Sequence, residues 1–122
     1  MAASRVTRVV APERLRELVD RPPRATVAFV RAGVADLLPA RARMRGDRHL
    51  FAVPDAAPAL DGQEVVLLVD DGPYWFQLRG VSVRGIASQA DAPAADEAPG
   101  LAWYAVDARR VLAWDYGAIR EE

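Results

Sequence analysis

Three arginines with alternating spacing are the side chains of this sequence best suited to bind an anion. Arg41, Arg43 and Arg45 alternate with small or apolar residues, a period of two that places them on one face of a β-strand. Neighbouring guanidinium groups repel each other unless an anion or acidic side chains lie close, and phosphate accepts paired hydrogen bonds from them. Two interpretations stay open: a phosphate-binding edge, or a solvated strand face balanced by acids such as Asp47 or Glu64.

Aromatic side chains that could flank a planar ring are concentrated in the second half of the chain. They are Tyr74, Trp75, Trp103, Tyr104, Trp114 and Tyr116. The same residue types dominate barrel cores and dimer interfaces, so a core or interface position is favoured for Trp75. For Trp114 and Tyr116 both interpretations remain open.

His49 is the only histidine, and Asp70 and Asp71 form the most conspicuous carboxylate pair. A histidine at the start of a strand can hydrogen-bond a cofactor or substrate, although surface and hairpin positions are more common. Gly72 and Pro73 follow the two aspartates, which is typical of a turn rather than of metal or acid–base chemistry. No residue can be assigned as catalytic, and no metal site is predicted.

Missing residue types exclude several classes of chemistry. The chain has no cysteine and no lysine, which excludes thiolate catalysis, iron–sulfur ligation, disulfides and a lysine Schiff base. A single histidine excludes a multi-histidine zinc site within one chain. The formal net charge of −1 and the absence of a basic stripe argue against nucleic acid. No apolar run approaches the roughly 20 residues of a membrane span, and residues 1–10 lack a signal-peptide pattern, so we expect a cytoplasmic protein without a membrane partner.

The elements that must position these side chains are one helix followed by about six strands. Proline placement and an apolar stripe of Leu15, Leu18 and Val19 predict a helix within residues 11–20. Apolar runs and turn signals predict strands at 25–30, 37–44, 49–53, 64–69 and 74–87, then one strand or a strand pair across 101–114. Gly80 predicts a bend or bulge, and residues 88–100, rich in Ala, Pro and acids, predict a mobile loop. The 122 residues therefore predict one mainly-β domain, an antiparallel barrel with short flanking helices.

Residues 65–69 are apolar without alternation. A strand that is apolar on both faces needs cover on both sides, and a barrel wall supplies only one. The sequence therefore predicts a homodimer in which a second copy covers the outer face.

The order and spacing of these segments resemble the pyridoxamine 5′-phosphate oxidase-like family, the flavin-binding split barrels, over roughly residues 11–118. Residues 83–87, Val-Arg-Gly-Ile-Ala, stand at the family's glycine-containing strand end, and 110–115 stand at its closing strand, where relatives often carry Trp. The resemblance implies a six-stranded split barrel spanning residues 24–118, and a homodimer with two flavin sites at the interface. The implied cofactor is FMN, with the deazaflavin coenzyme F420 or haem as alternatives.

The same resemblance implies a set of cofactor-binding residues. Arg41 and Arg43 stand at the second-strand position that contacts the flavin phosphate, and Trp114 and Tyr116 stand near the family's cofactor edge. His49, whose ring can hydrogen-bond a flavin carbonyl, completes the predicted set. The loop at 54–62 departs from the family, because it has no Ser, Thr, Lys or Arg. The leading hypothesis is an FMN- or F420-dependent oxidoreductase that acts on a small molecule by hydride transfer. The alternative is a non-enzymatic split-barrel dimer with a decayed cofactor site, serving as a ligand-binding or scaffold protein.

Overall fold

A computed structural model describes residues 6–7, 9–117 and 120–121. The chain begins with strands β1 (Val6–Thr7) and β2 (Val9–Val10), then a 3₁₀ turn (Pro12–Leu15) that leads into α1 (Arg16–Asp20). The strands that follow are β3 (Arg24–Arg31), β4 (Val34–Arg45), β5 (Arg48–Pro54), β6 (Glu64–Asp71), β7 (Arg79–Gln89), β8 (Leu101–Asp115) and β9 (Arg120–Glu121). Two further 3₁₀ turns cover Trp75–Gln77 and Ala94–Asp96.

Six of these strands close into an antiparallel barrel in the order β8-β5-β4-β3-β6-β7, with β7 pairing back onto β8. β4 and β8 are long because each pairs with two neighbours in succession: β4 with β3 and then β5, β8 with β5 and then β7. β2 extends the sheet at the end of β8, and β1 pairs with β9. The predicted mainly-β fold, a six-stranded antiparallel barrel with a short helix, is confirmed.

Alternating side chains of all six strands fill the barrel, where they remove apolar surface from water. Phe51 stacks on Tyr104 with ring centroids 5.3 Å apart, and the Tyr104 hydroxyl accepts a hydrogen bond from the Leu60 backbone N–H at 3.2 Å. The phenol thereby fixes the 54–62 loop against the core. At the other end, the predicted stripe of Leu15, Leu18 and Val19 is buried against the barrel.

Several boundaries differ from the sequence-based expectation. β6 continues to Asp71 through the predicted turn, because Asp70 and Asp71 still pair with Gly80 and Arg79 of β7. Their carboxylates form ion pairs with Arg24 at 3.0 Å and with Arg79 at 2.9 Å. β7 begins at Arg79, not at residue 74, since Trp75–Gln77 form a 3₁₀ turn. Residues 101–114 belong to one continuous strand rather than to a pair.

Gly80 was predicted to mark a bend or a bulge, and the bulge is wrong in position. The register between β7 and β8 shifts between Arg84 and Gly85, where Arg84 faces Arg110 and Gly85 faces Ala108. One extra residue of β8, Arg109, is accommodated there, as in a β-bulge. The expected end of the barrel at residue 118 lies outside the described residues. In the part of the chain that is described, no helix is long and apolar enough to cross a membrane.

Candidate functional site

The three arginines of β4 lie on the outside of the barrel. Ala42, between two of them, is buried in the core, so the period of two directs Arg41, Arg43 and Arg45 outward. Across the sheet, Arg41 faces Ala52 and Arg43 faces its β5 neighbour, Leu50.

Arg43 and Arg45 contact the segment between β7 and β8. Arg43 donates from Nε to Asp96 Oδ2 at 3.0 Å and from Nη1 to the Ala42 carbonyl at 2.7 Å. Arg45 donates to the Asp91 carbonyl oxygen at 2.8 Å. The acid that balances this strand is therefore Asp96.

The two acids expected to balance the arginines pair elsewhere. Asp47 lies 3.7 Å from Arg16, and Glu64 lies 3.9 Å from Arg84. Both carboxylates pair with other arginines in the folded chain, so Arg43 is the one β4 arginine with an acidic partner among the described residues, and that partner is Asp96.

Arg41 differs from its neighbours, because its exposed guanidinium makes no ion pair or hydrogen bond among the described residues. It lines a shallow cleft of about 240 Å³ together with Arg24 and Arg43. Arg24 pairs with Asp70 and donates to the Gly72 carbonyl at 3.2 Å. The hydrogen bond to Asp70 and its charge raise the pKa of Arg24. We call Arg24, Arg41 and Arg43 the arginine corner, a site suited to an anion with several acceptor oxygens.

Trp114 lies on the same outer surface, at the end of β8. The cross-strand neighbours Arg24, Asp70, Gly80 and Trp114 form one row over four adjacent strands. Three strand spacings separate Arg24 from Trp114, roughly 14 Å along the sheet. The half-buried indole covers Gly80, where a Cβ would lie 2.5 Å from Trp114 Cζ2. Tyr116 follows, and its backbone N–H donates to the Leu78 carbonyl at 2.8 Å.

His49 does not join the arginine corner. It lies at the start of β5 on the opposite side of the strand from Leu50, paired with Met44 and Val106. It lines a groove of about 610 Å³ between the N-terminal helical segment and the barrel mouth. Burial, with a smaller contribution from Arg16, lowers the pKa of His49 below its ordinary value.

We expect the single imidazole resonance of the protein to titrate below pH 6.5, the ordinary histidine value. The unfolded chain then binds a proton more readily than the folded chain, so stability decreases as the pH falls from about 6.5 through the folded pKa. NMR titration measures the midpoint. Urea unfolding of wild type and His49→Gln at pH 7 and pH 5 checks the linkage, with the larger loss at pH 5 expected in the wild type. A midpoint at or above 6.5 would contradict the burial argument.

Comparison with solved structures finds the same architecture in flavin-associated proteins. An FAD-binding protein from Mycobacterium smegmatis matches with a TM-score of 0.70 at 15% identity, over 89% of this chain and 99% of the other. A candidate pyridoxamine 5′-phosphate oxidase from Corynebacterium glutamicum matches with a TM-score of 0.67 at 12% identity, over 89% and 96%. The chain has the pyridoxamine 5′-phosphate oxidase-like split-barrel fold.

A third split barrel, an FAD- and haem-binding protein from M. smegmatis, matches with a TM-score of 0.65 at 18% identity, over 90% of this chain and 72% of the other. No family model and no curated protein sequence matches this chain. At these identities the likeness establishes the fold, which confirms the predicted resemblance at that level.

The sequence analysis missed Asp96, which contacts the corner of this split barrel, and did not single out Trp103 among the aromatic residues. Asp96 stands in a segment without any periodic pattern, and only the folded chain brings it to Arg43. Trp103 is 5% exposed beside Leu50, and its Nε1 has no hydrogen-bond partner among the described residues. The side chain of Trp75 lies outside the described part of the chain. No group of three potential metal-ligating residues occurs among the described residues.

The outer side of β3, the first half of β4 and β6 forms a second surface of the split barrel, which we call the apolar face. It comprises Thr26, Ala28, Val30, Leu37, Pro39, Val66 and Leu68. Val30 and Leu37 are each 61% exposed. The face borders the arginine corner, because Pro39 and Arg41 are successive outward residues of β4.

Proposed function

We propose that this chain binds a flavin and acts as a homodimeric oxidoreductase that transfers hydride to or from a small organic molecule. The observation that carries the proposal is the arginine corner, where the exposed guanidinium of Arg41 has no partner among the described residues. The similar barrels described as FAD-binding and as FAD- and haem-binding support a flavin as the ligand.

The residues of the corner fit a phosphate group. Arg41 offers a free fork of donors, Arg24 is fixed beside it by Asp70, and Arg43 lies two residues further along the same face. Trp114 stands in the same row of the sheet, where its ring surface is suited to a planar ring system. One elongated molecule with a phosphate at one end and a flat ring at the other can span these two points.

A bound flavin supplies the redox chemistry in its own ring, so the protein has to bind, orient and shield it rather than provide an acid or base. This division of labour suits a chain without cysteine or lysine and with one histidine outside the corner. We propose FMN as the cofactor. FAD contains the same phosphate-bearing unit, and the deazaflavin coenzyme F420 and haem are the alternatives to test.

The direct test is binding of FMN, FAD, F420 and haem to the purified protein, followed by visible absorption and quenching of flavin fluorescence. We expect saturable binding of a phosphorylated flavin and weaker binding of riboflavin. If no flavin is retained at any concentration tested, the proposed function is wrong.

The second candidate is a non-enzymatic barrel whose cofactor site has decayed. The observation that favours it is the contact between Asp96 and Arg43, which already occupies one guanidinium of the corner with a carboxylate. This candidate predicts that none of the four cofactors binds, although the protein is folded and dimeric.

The apolar face supports the homodimer. Contiguous aliphatic side chains on three strands leave apolar surface in water, and burying it against a second copy is favourable. At the edge of the apolar face, Glu64 and Arg84 lie 3.9 Å apart and carry opposite charges. A surface whose edge carries both signs of charge can pack against the same surface of a second copy without net repulsion. A dimer on this face would bring the arginine corner to the subunit boundary.

Sedimentation at micromolar concentration should give twice the chain mass of 13.3 kDa. Leu37→Glu should shift the protein to monomer without unfolding it, because this side chain belongs to the apolar face and is exposed within one chain. Ala56→Glu, an exposed position in the β5–β6 loop, is the matched control and should remain dimeric. A monomeric wild type would refute the dimer and the shared cofactor site.

A further inference from the structure

The segment between β7 and β8, residues 90–100, lies on the outer surface of β4, β5 and β8. Backbone hydrogen bonds fix its two ends: Ala90 N–H donates to the Trp103 carbonyl at 3.0 Å, and Asp55 N–H donates to the Gly100 carbonyl at 2.9 Å. Two arginines of β4 also contact it: Arg45 donates to the Asp91 carbonyl near the start of the segment, and Arg43 pairs with Asp96 in its middle. We call residues 90–100 the latch segment.

Few apolar contacts hold the latch segment. Ala90, Ala92 and the adjoining Leu101 pack against the small cluster of Leu50 and Trp103. Residues 94–100 are exposed apart from Asp96, whose side chain is only 15% exposed. Small side chains bury little apolar surface, so the ion pair of Asp96 with Arg43 is the most buried side-chain contact of the middle of the segment.

The latch segment covers the ring of Trp103 but supplies no hydrogen-bond acceptor for its indole N–H. This buried Nε1–H has no acceptor among the described residues, an arrangement that disfavours the closed segment relative to one that admits water or a ligand. A cleft of about 260 Å³ lies between the segment and the sheet, lined by Ala92, Glu97, Leu101 and Trp103. The segment is thus fixed at its ends and weakly packed in its middle.

We propose that the latch segment regulates the arginine corner: Asp96 occupies Arg43 as an internal anion until a phosphate-bearing ligand displaces it and opens the segment. This inference rests on the proposed phosphate site. The alternating positions of Arg41 and Arg43 are roughly 7 Å apart along the strand, so a phosphate seated at Arg41 competes directly for Arg43.

Charge gives the direction of the exchange. A phosphate monoester near pH 7 carries about −1.5 to −2 charges and three acceptor oxygens, whereas the Asp96 carboxylate carries one charge and is tethered to its own chain. Opening also uncovers the Trp103 indole N–H and the aliphatic surface of Leu50. Only molecules with an open segment bind the ligand in this way. The apparent affinity is therefore the affinity of the open form multiplied by the fraction of molecules that are open.

The first test compares Asp96→Asn with Glu97→Gln. Both remove one negative charge, but Glu97 is exposed and has no ion pair among the described residues. We expect Asp96→Asn to bind FMN about tenfold more tightly than wild type, as for a segment that is about 90% closed, with riboflavin affinity unchanged. Glu97→Gln should match wild type. Equal gains in both variants would mean a general charge effect and would overturn the latch.

The second test follows the segment itself, through cleavage after Glu97 by a glutamate-specific protease. Rates are normalised to those of peptides carrying the same residues 90–103. Asp96→Asn and Arg43→Ala should be cleaved faster than wild type, and Asp107→Asn, an exposed acid on β8, should not. FMN should accelerate cleavage of the wild type.

The two tests separate failure of the latch from failure of the proposed function. If FMN binds through Arg41 while Asp96→Asn changes neither affinity nor cleavage, the latch is wrong and the flavin site stands. If no flavin binds any variant, the proposed function is wrong, and inorganic pyrophosphate serves as the probe. Faster cleavage with pyrophosphate then supports displacement of Asp96 from Arg43 by an anion, and an unchanged rate overturns the latch.

Discussion

Arg41→Ala will weaken the binding of FMN by about ten- to a hundredfold, because a charge-assisted hydrogen bond to phosphate contributes roughly 1.5–3 kcal/mol. The exposed guanidinium of Arg41 makes no ion pair or hydrogen bond with any described residue, so its removal should leave the barrel intact. Riboflavin, which lacks the phosphate, should bind the variant and the wild type equally. Fluorescence titration with both flavins measures the two affinities.

Arg31→Ala is the matched control for the loss of charge. Arg31 is also exposed and lies at the far end of β3, seven residues from Arg24 and roughly 23 Å away along the strand. It should bind both flavins as the wild type does. If Arg41→Ala lost affinity for FMN and for riboflavin equally, the result would indicate damage to the strand and contradict the phosphate role.

Arg43→Ala should lose less FMN affinity than Arg41→Ala. The substitution removes a phosphate contact, but it also releases Asp96 and opens the latch segment. The two effects on affinity have opposite signs, whereas Arg41 has no internal competitor among the described residues. The comparison of the two variants therefore separates phosphate binding from release of the segment.

Local rules of the sequence predicted the strands and the orientation of the arginines on β4. Period-two alternation depends only on the pleat, so Arg41, Arg43 and Arg45 share a face wherever the strand lies. The hairpin at Gly46, which has a φ of +59°, pairs Arg45 with Arg48 and so fixes the register of β5. That register, with the same alternation, sends His49 to the side opposite Leu50, which separates His49 from the corner.

Contacts between distant segments were not accessible to these rules. Asp96 and Arg43 are far apart in sequence, and the segment around Asp96 has no periodicity that would assign it to a surface. The aromatic residues show the same limit: Trp103 and Trp114 both face outward from β8, yet only Trp103 is covered by the latch segment. Composition predicted a mobile loop at residues 88–100, whereas Ser88 and Gln89 belong to β7 and residues 90–100 make contacts with the sheet beneath them. Their mobility stays a prediction.

The glycines of β7 show why the bulge was assigned to the wrong residue. A glycine inside a strand indicates either a bulge or a close approach of another group, and sequence alone does not separate these causes. At Gly80 the cause is the ring of Trp114, which lies where a side chain would be. At Gly85 the facing strand, β8, carries its extra residue, and the backbone of Asp107 lies where a side chain of residue 85 would be.

Gly85→Ala should destabilise the protein by about 2–4 kcal/mol, because the added methyl group has no space in the folded chain. A Cβ at position 85 would collide with the carbonyl oxygen of Asp107 and lie 2.7 Å from its carbonyl carbon and 2.9 Å from Val106 Cγ1. The obstacle is mainly backbone held in the β7–β8 pairing, so it cannot rotate away. Urea unfolding at fixed protein concentration measures the loss, which corresponds to a melting temperature lower by roughly 8–15 °C.

Gly80→Ala is the comparison that isolates the backbone cause. The three atoms nearest to the added Cβ there all belong to the ring of Trp114, a side chain that can turn, so the loss of stability should be clearly smaller than for Gly85→Ala. If Gly85→Ala unfolds within about 1 kcal/mol of the wild type, the bulge can relax and the argument fails. A large loss at Gly85 alone would explain the glycine of the Val-Arg-Gly-Ile-Ala stretch physically: the strand that ends in this pattern has to lie against the bulge of the closing strand.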